Sequence, residues 1–107
     1  MIETLDAKFG TATPIVVNHP NEGMIQLRCF GKYSYKSVPG MPEELIREHV
    51  ISVVTMFIQT NIINYSITEF PMILVNSVPN IIAAINQNVT GLGAELISLN
   101  VEAINKI

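Results

Sequence analysis

One cysteine, two histidines and nine acidic residues are what this chain offers to covalent, acid–base or metal chemistry. Cys29 is the only thiol nucleophile, and His19 or His49 would have to serve as its base. Cys29, however, shares the apolar side of an alternating segment with Leu27 and Tyr33. A thiol buried among such neighbours is held neutral and inert, so Cys29 reads as core. A metal site needs several donors that converge. Glu48 and His49 are adjacent, and adjacent residues on a helix point about 100° apart; His19 sits in a turn with Asn18 and Asn21. No ligand cluster emerges. Glu43, Glu44 and Glu48 are acids at a helix start, where they favour the helix dipole and solvation. General acid–base work needs two carboxyl groups in different environments across a cleft. Gly91-Leu92-Gly93 closes a helix, whereas a phosphate-binding loop opens one.

Arg28, Lys32 and Lys36 are less easily set aside. They fall at i, i+4 and i+8 on the outward side of one strand, and they are half of the six basic residues. Such a face could meet anionic lipid head groups or an acidic partner protomer. It could equally be a solvated face with edge-protecting lysines.

The composition bounds the rest. At 107 residues there is room for one domain. Apolar residues make up 49% and charged residues only 14%, against about 25% charged in an average soluble domain. That is the reverse of a disordered composition. A net charge of −3 argues against a sequence-independent grip on nucleic acid. One cysteine excludes an internal disulfide, and no cofactor motif is present. The opening residues Met1-Ile2-Glu3-Thr4-Leu5-Asp6 carry acids where a secretory signal needs bases. Val50 to Ile63 is the most apolar stretch, but Gln59, Thr60 and Asn61 interrupt it. It also falls short of the roughly 20 residues of a spanning helix. The apolar excess points to an interface with protein, to contact with a membrane surface, or to a piece of a larger assembly.

These residues must be positioned by a sheet and helices. Residues 1–8 read as a disordered, frayed start. Phe9 to Val17 reads as a strand, with Pro14 marking an edge or a strand start. After the turn from Asn18 to Gly23, Met24 to Val38 is the clearest strand. Ile25, Leu27, Cys29, Tyr33 and Tyr35 fall on one side; Gln26, Arg28, Lys32, Ser34 and Lys36 fall on the other. Gly31 within it signals a bulge or bend. A helix is expected at 42–60, with the stripe Ile46, Val50, Val53, Val54 and Phe57 inward. Ile51, Met56 and Ile62 lie outside that stripe. Residues 61–76 read either way: Ser66-Ile67-Thr68-Glu69 could cap a short helical turn, and Met72 to Val75 could pass for a strand. Ser77 resembles an N-cap with Pro79 in the first turn, followed by the stripe Ile81, Ile82, Ile85 and Val89. The last run places Ile97, Leu99, Val101 and Ala103 against Ser98, Asn100 and Glu102, a half-buried strand. The expected fold is α+β, an antiparallel sheet of long strands with two main helices packed on one face.

Two stretches carry a family resemblance. Phe9-Gly10-Thr11-Ala12-Thr13-Pro14-Ile15, followed by Leu27-Arg28-Cys29-Phe30-Gly31-Lys32-Tyr33-Ser34-Tyr35, resembles the SPFH or band 7 superfamily. This is the stomatin, prohibitin, flotillin and HflK/C group, and the likeness is to its bacterial virion-core-protein-like branch. Gly93-Ala94-Glu95-Leu96 running into Asn100-Val101-Glu102-Ala103-Ile104 is similar to the stretch after the second helix in that family. Two departures concern turns: His19 precedes Pro20 where the family carries an acid, and Val38-Pro39 stands where it has Asp-Pro.

The resemblance implies that residues 9–107 are a partial SPFH domain core, lacking the preceding strands, an N-terminal anchor and a C-terminal coiled coil. It implies a non-catalytic scaffold with no catalytic or cofactor residues. The scaffold would be a cytoplasmic homo-oligomer at the inner face of the cell membrane, in contact with a membrane surface or a membrane protein and not with nucleic acid. Gly10, Pro14, Arg28, Gly31 and Tyr33 are then structural positions. Two other readings stay open: a small ligand-binding or enzymatic domain using the groove between sheet and helices, and a structural dimer with no membrane role.

Overall fold

The longest strand, read from Met24 to Val38, becomes the axis of the molecule. The computed structural model describes all of residues 1–107. Its elements are β1 (Ile2–Gly10), β2 (Ile15–His19), β3 (Gly23–Ser37), α1 (Glu43–Asn61), a 3-10 turn (Ile62–Asn64), α2 (Phe70–Asn76), α3 (Val78–Val89), a second 3-10 turn (Thr90–Leu92) and β4 (Ala94–Lys106). All pairing is antiparallel and all of it is to β3. β2 pairs with Gly23–Leu27 and β1 with Phe30–Ser37. β4 pairs with β3 from Leu27 to Ser37. An α+β architecture results, with three helices where the helical stripes indicated two.

Residues 2–8 are not a frayed start. They pair with β3, and their strand state comes from that partner, since the segment has no apolar stripe of its own. Nor is 9–17 one strand. β1 ends at Gly10 and β2 begins at Ile15, because Pro14 lacks an N–H for the ladder. Thr11 bridges the gap: its N–H donates to the Cys29 carbonyl at 3.0 Å, and its hydroxyl accepts from the Cys29 N–H at 3.2 Å.

The register of β3 is unbroken; the irregularities lie on its neighbours. β1 carries one extra residue between Thr4 and Ala7, and β4 carries two, Ile97 and Glu102. Gly31 therefore lies opposite a bulge and is not itself bulged. A Cβ on Gly31 would fall on the carbonyl oxygen of Asn100 and lie 3.0 Å from the Phe9 ring. Each bulge shifts the phase of β4. Ala94, Leu96, Leu99 and Val101 are buried, whereas Ile97 is exposed and Ala103 pairs with the outward Phe30. The expected inward positions of Ile97 and Ala103 are thus overturned.

The helices cover the inward face of the sheet in one core of 22 buried residues. α1 buries Ile46, Val50, Val54 and Ile58 at i, i+4 spacing, while Val53 and Phe57 are half-buried. Ile62, placed outside the stripe by the sequence, is buried because it continues the i, i+4 row one step past Ile58 with its N–H still bonded to the Ile58 carbonyl; Ile51 packs against the core, and Met56 is exposed. Residues 72–75 are helical, not a strand. Ser66 and Glu69 do form a capping arrangement: the Glu69 N–H donates to the Ser66 hydroxyl at 3.2 Å, and that hydroxyl donates to the Glu69 carboxylate at 3.1 Å. Ser77 is no side-chain cap; its hydroxyl donates back to the Ile73 carbonyl at 2.8 Å. Gly93, at φ +90°, turns the chain into β4.

Asn86 of α3 meets β4 as another strand would. Its side-chain amide accepts from the Leu96 N–H at 2.7 Å and donates to the Leu96 carbonyl at 3.2 Å. Total accessible surface is 6110 Å², close to the roughly 5,900 Å² expected for a monomer of this mass.

The Gly31 contact has a testable sign. An unstrained Gly→Ala change stabilises by loss of unfolded-state entropy. Gly31→Ala is instead expected to destabilise by about 2–3 kcal/mol through overpacking, seen as a lower urea midpoint. An unchanged or raised midpoint would contradict the close approach of β4.

Candidate interaction face

Alternation along β3 sends Gln26, Arg28, Phe30, Lys32 and Lys36 to the side of the sheet that no helix covers. Ser34 is the exception in this row. It is buried, with its hydroxyl accepting the Asp6 N–H at 3.0 Å where β1 bulges. Pairing then adds residues from both neighbours. Lys8 lies directly opposite Lys32 on β1, and Glu3 lies opposite Lys36. On β4, Glu95 lies opposite Lys36, Asn100 opposite Lys32 and Asn105 opposite Arg28. Apolar side chains are interspersed: Phe30 is 46% exposed, and Val16 and Met24 on the same side are also open.

The charges on this face are therefore not one uniform row. Lys36 has a carboxylate opposite it on each neighbouring strand, which balances it. Lys8, Arg28 and Lys32 form the positive centre. The ion pairs within 4 Å are Arg47–Glu43 at 2.8 Å and Lys106–Glu22 at 3.1 Å, and neither engages this centre. Two lysines directly opposed on adjacent strands repel one another. Beside them is a shallow depression of about 410 Å³, lined by Lys8, Phe9, Phe30, Gly31, Lys32 and Glu102. Lys8, Phe30 and Glu102 were not singled out from the sequence. Lys8 fell in a segment with no stripe, and its place beside Lys32 is a matter of register.

The other candidates lie elsewhere and apart. Cys29 faces inward and is buried. Burial pushes its thiol up from 9.0 to about 11, which removes the thiolate a nucleophile requires. His19 is buried at the end of β2, far in sequence from its partner: the ring Nε2 lies 2.7 Å from the Tyr65 carbonyl. Its Nδ1 accepts the backbone N–H groups of Asn21 and Glu22 at 3.1 and 3.3 Å, so the proton belongs on Nε2. This ring ties the β2–β3 turn to the segment after α1. His49 lies half-buried on α1 with Glu48 exposed beside it, and neither reaches Cys29 by a hydrogen bond. Glu43 is held by Arg47, leaving Glu44 and Glu48 in solvent. No three His, Cys, Asp or Glu side chains converge as metal ligands.

Tyr33 is buried on the inward side where the alternation placed it, and its hydroxyl is what the pattern did not reveal. Its ring stacks on Tyr35 at 5.7 Å, and its hydroxyl is buried with no hydrogen-bond partner. Burial pushes the phenol up to about 12. Glu43 adds to this, and the Arg47 guanidinium opposes it.

No helix is long and apolar enough to cross a membrane. Compared with models of protein families, with curated proteins and with solved structures, the chain has no match.

Cys29 and Tyr33 are acids kept neutral by folding, so their protonated forms belong to the native state. Their contribution to stability is complete below pH 9, the ordinary value for the Cys29 thiol, and falls as pH rises towards about 11 and then 12. The urea midpoint should decline progressively above pH 9. Cys29 should react with a thiol reagent on the timescale of unfolding, and rapid stoichiometric labelling of native protein would contradict the burial.

Proposed function

We propose that this chain is a non-catalytic interaction domain of SPFH type. It is a scaffold that self-associates and docks on a protein or anionic membrane surface at the cytoplasmic side of the cell membrane. The observation that supports this most is the uncovered face of the sheet, with unpaired Lys8, Arg28 and Lys32 around a half-exposed Phe30. Cations in no ion pair, with a single carboxylate, Glu102, on the same depression and exposed aromatic and aliphatic surface beside them, are what a charged, partly apolar partner would engage. The order and pairing of strands also suit the residues that carry the family resemblance. Gly31 sits where β4 crosses closely, and Pro14 sits at the break between β1 and β2.

A second reading, a ligand-binding domain using the groove between sheet and helix, has a specific place to be tested. A depression of about 190 Å³ lies between the β1–β2 break and α1, lined in part by Thr11, Thr13, Ile51, Thr55 and Gln59. This is smaller than the roughly 300–1,000 Å³ of most small-molecule sites. The scaffold reading is therefore preferred.

Light scattering over a range of concentrations, with and without vesicles containing anionic lipid, separates the two. Self-association that grows with concentration, or co-sedimentation with anionic but not neutral vesicles, is the expected result. A monomer at all concentrations that ignores both kinds of vesicle would contradict the proposal.

A further inference from the structure

The two charged regions of this molecule are complementary and lie on opposite sides of it. On the open side of the sheet, Lys8 and Lys32 are directly paired in register, and Arg28 lies four residues before Lys32 on the same face of β3. The α1 start lies in the other layer. Ile46 and Val50 of α1 are fully buried against the sheet, which turns Glu44 and Glu48 to solvent, away from it. Glu43 is already taken by Arg47, so Glu44 and Glu48 are the carboxylates without an ion pair in this stretch.

The spacing matches as well. Directly opposed residues on antiparallel strands place their Cβ atoms about 5 Å apart. Residues four apart on a helix are separated by about 6 Å. A pair of unpaired cations on one side of the molecule thus has the spacing of a pair of unpaired carboxylates on the other.

We propose that the sheet face of one copy receives the start of α1 of the next, with Glu44 and Glu48 seated over Lys8 and Lys32 beside Phe30. This rests on the self-association proposed above and names its interface. A face-to-face pairing of two sheets is disfavoured by the same charges, because it would bring one central basic strand against another. The contact is heterologous: each copy uses its sheet face once and its helix start once, so one of each stays free at the ends of any open assembly. Association then continues past two copies and weakens as salt screens the charges.

Charge reversal on each side, followed by mixing, tests this. The paired variants are Lys8→Glu with Lys32→Glu, and Glu44→Lys with Glu48→Lys; Lys8, Glu44 and Glu48 are exposed and Lys32 is half-buried, and circular dichroism and urea midpoints verify folding. If the doubly reversed face does not fold, Lys8→Gln with Lys32→Gln replaces it, and the loss of association is read alone. Each reversed variant on its own should need at least tenfold higher concentration than the native chain for half-association at low ionic strength. An equimolar mixture of the two should return to the native range, because each then offers the other an opposite charge at both contacts. Native-like association of either variant alone, or a mixture that stays dissociated, would overturn this interface while leaving self-association standing. A native chain that is monomeric throughout would overturn both.

Discussion

Everything in this fold is hung on one strand that carries no bulge of its own. β3 pairs with every other strand, and its inward residues Ile25, Leu27, Cys29, Tyr33 and Tyr35 supply the floor on which the helices pack. Gly31 is the point at which this strand yields. With no side chain there, β4 passes close enough for the Asn100 carbonyl to occupy the space of a Cβ, and the bulge at Glu102 sits alongside. Because the extra residues are carried by β1 and β4, β3 keeps its two faces distinct over its whole length. One face is sealed by helices; the other is left with cations, Phe30 and solvent.

The edges of the sheet are managed differently from its open face. β1 is bent by an extra residue near Asp6, which takes φ +53°, and β4 is interrupted twice. Asn86 occupies the backbone groups of Leu96. Bulges and side-chain caps of this kind discourage strand-to-strand addition. No comparable device covers the outward face between Arg28 and Lys36. On the proposed reading a partner would meet the face and not the edges, and side-chain charge there would set which surfaces are admitted.

What could be read from the sequence, and what could not, follows the reach of the interactions involved. β3 and α1 were legible because their stripes are local: alternation from Ile25 to Tyr35, and i, i+4 spacing from Ile46 onward. Cys29 could be placed in the core for the same reason. β1 was not legible, since Ile2–Lys8 is exposed or half-buried throughout and is a strand only because β3 is beside it. α2 has seven residues, Phe-Pro-Met-Ile-Leu-Val-Asn, too few to show a period and rich in strand-forming types. On β4 the alternation was real, but Ile97 and Glu102 each displace its phase by one, which no local pattern reports. Arg28, Lys32 and Lys36 were correctly set on the outward side. That Lys36 is balanced by Glu3 and Glu95, and that Lys8 completes the site, depends on pairing across residues far apart in sequence.

The central claim is that the open face of the sheet is the surface this domain uses. A dilution series of isotope-labelled protein followed by two-dimensional NMR at low ionic strength addresses it most directly. The account predicts concentration-dependent shifts concentrated on Lys8, Arg28, Phe30 and Lys32 and on the first turns of α1, and their disappearance at high salt. Spectra that do not change with concentration, or shifts confined to α2 and α3, would contradict it.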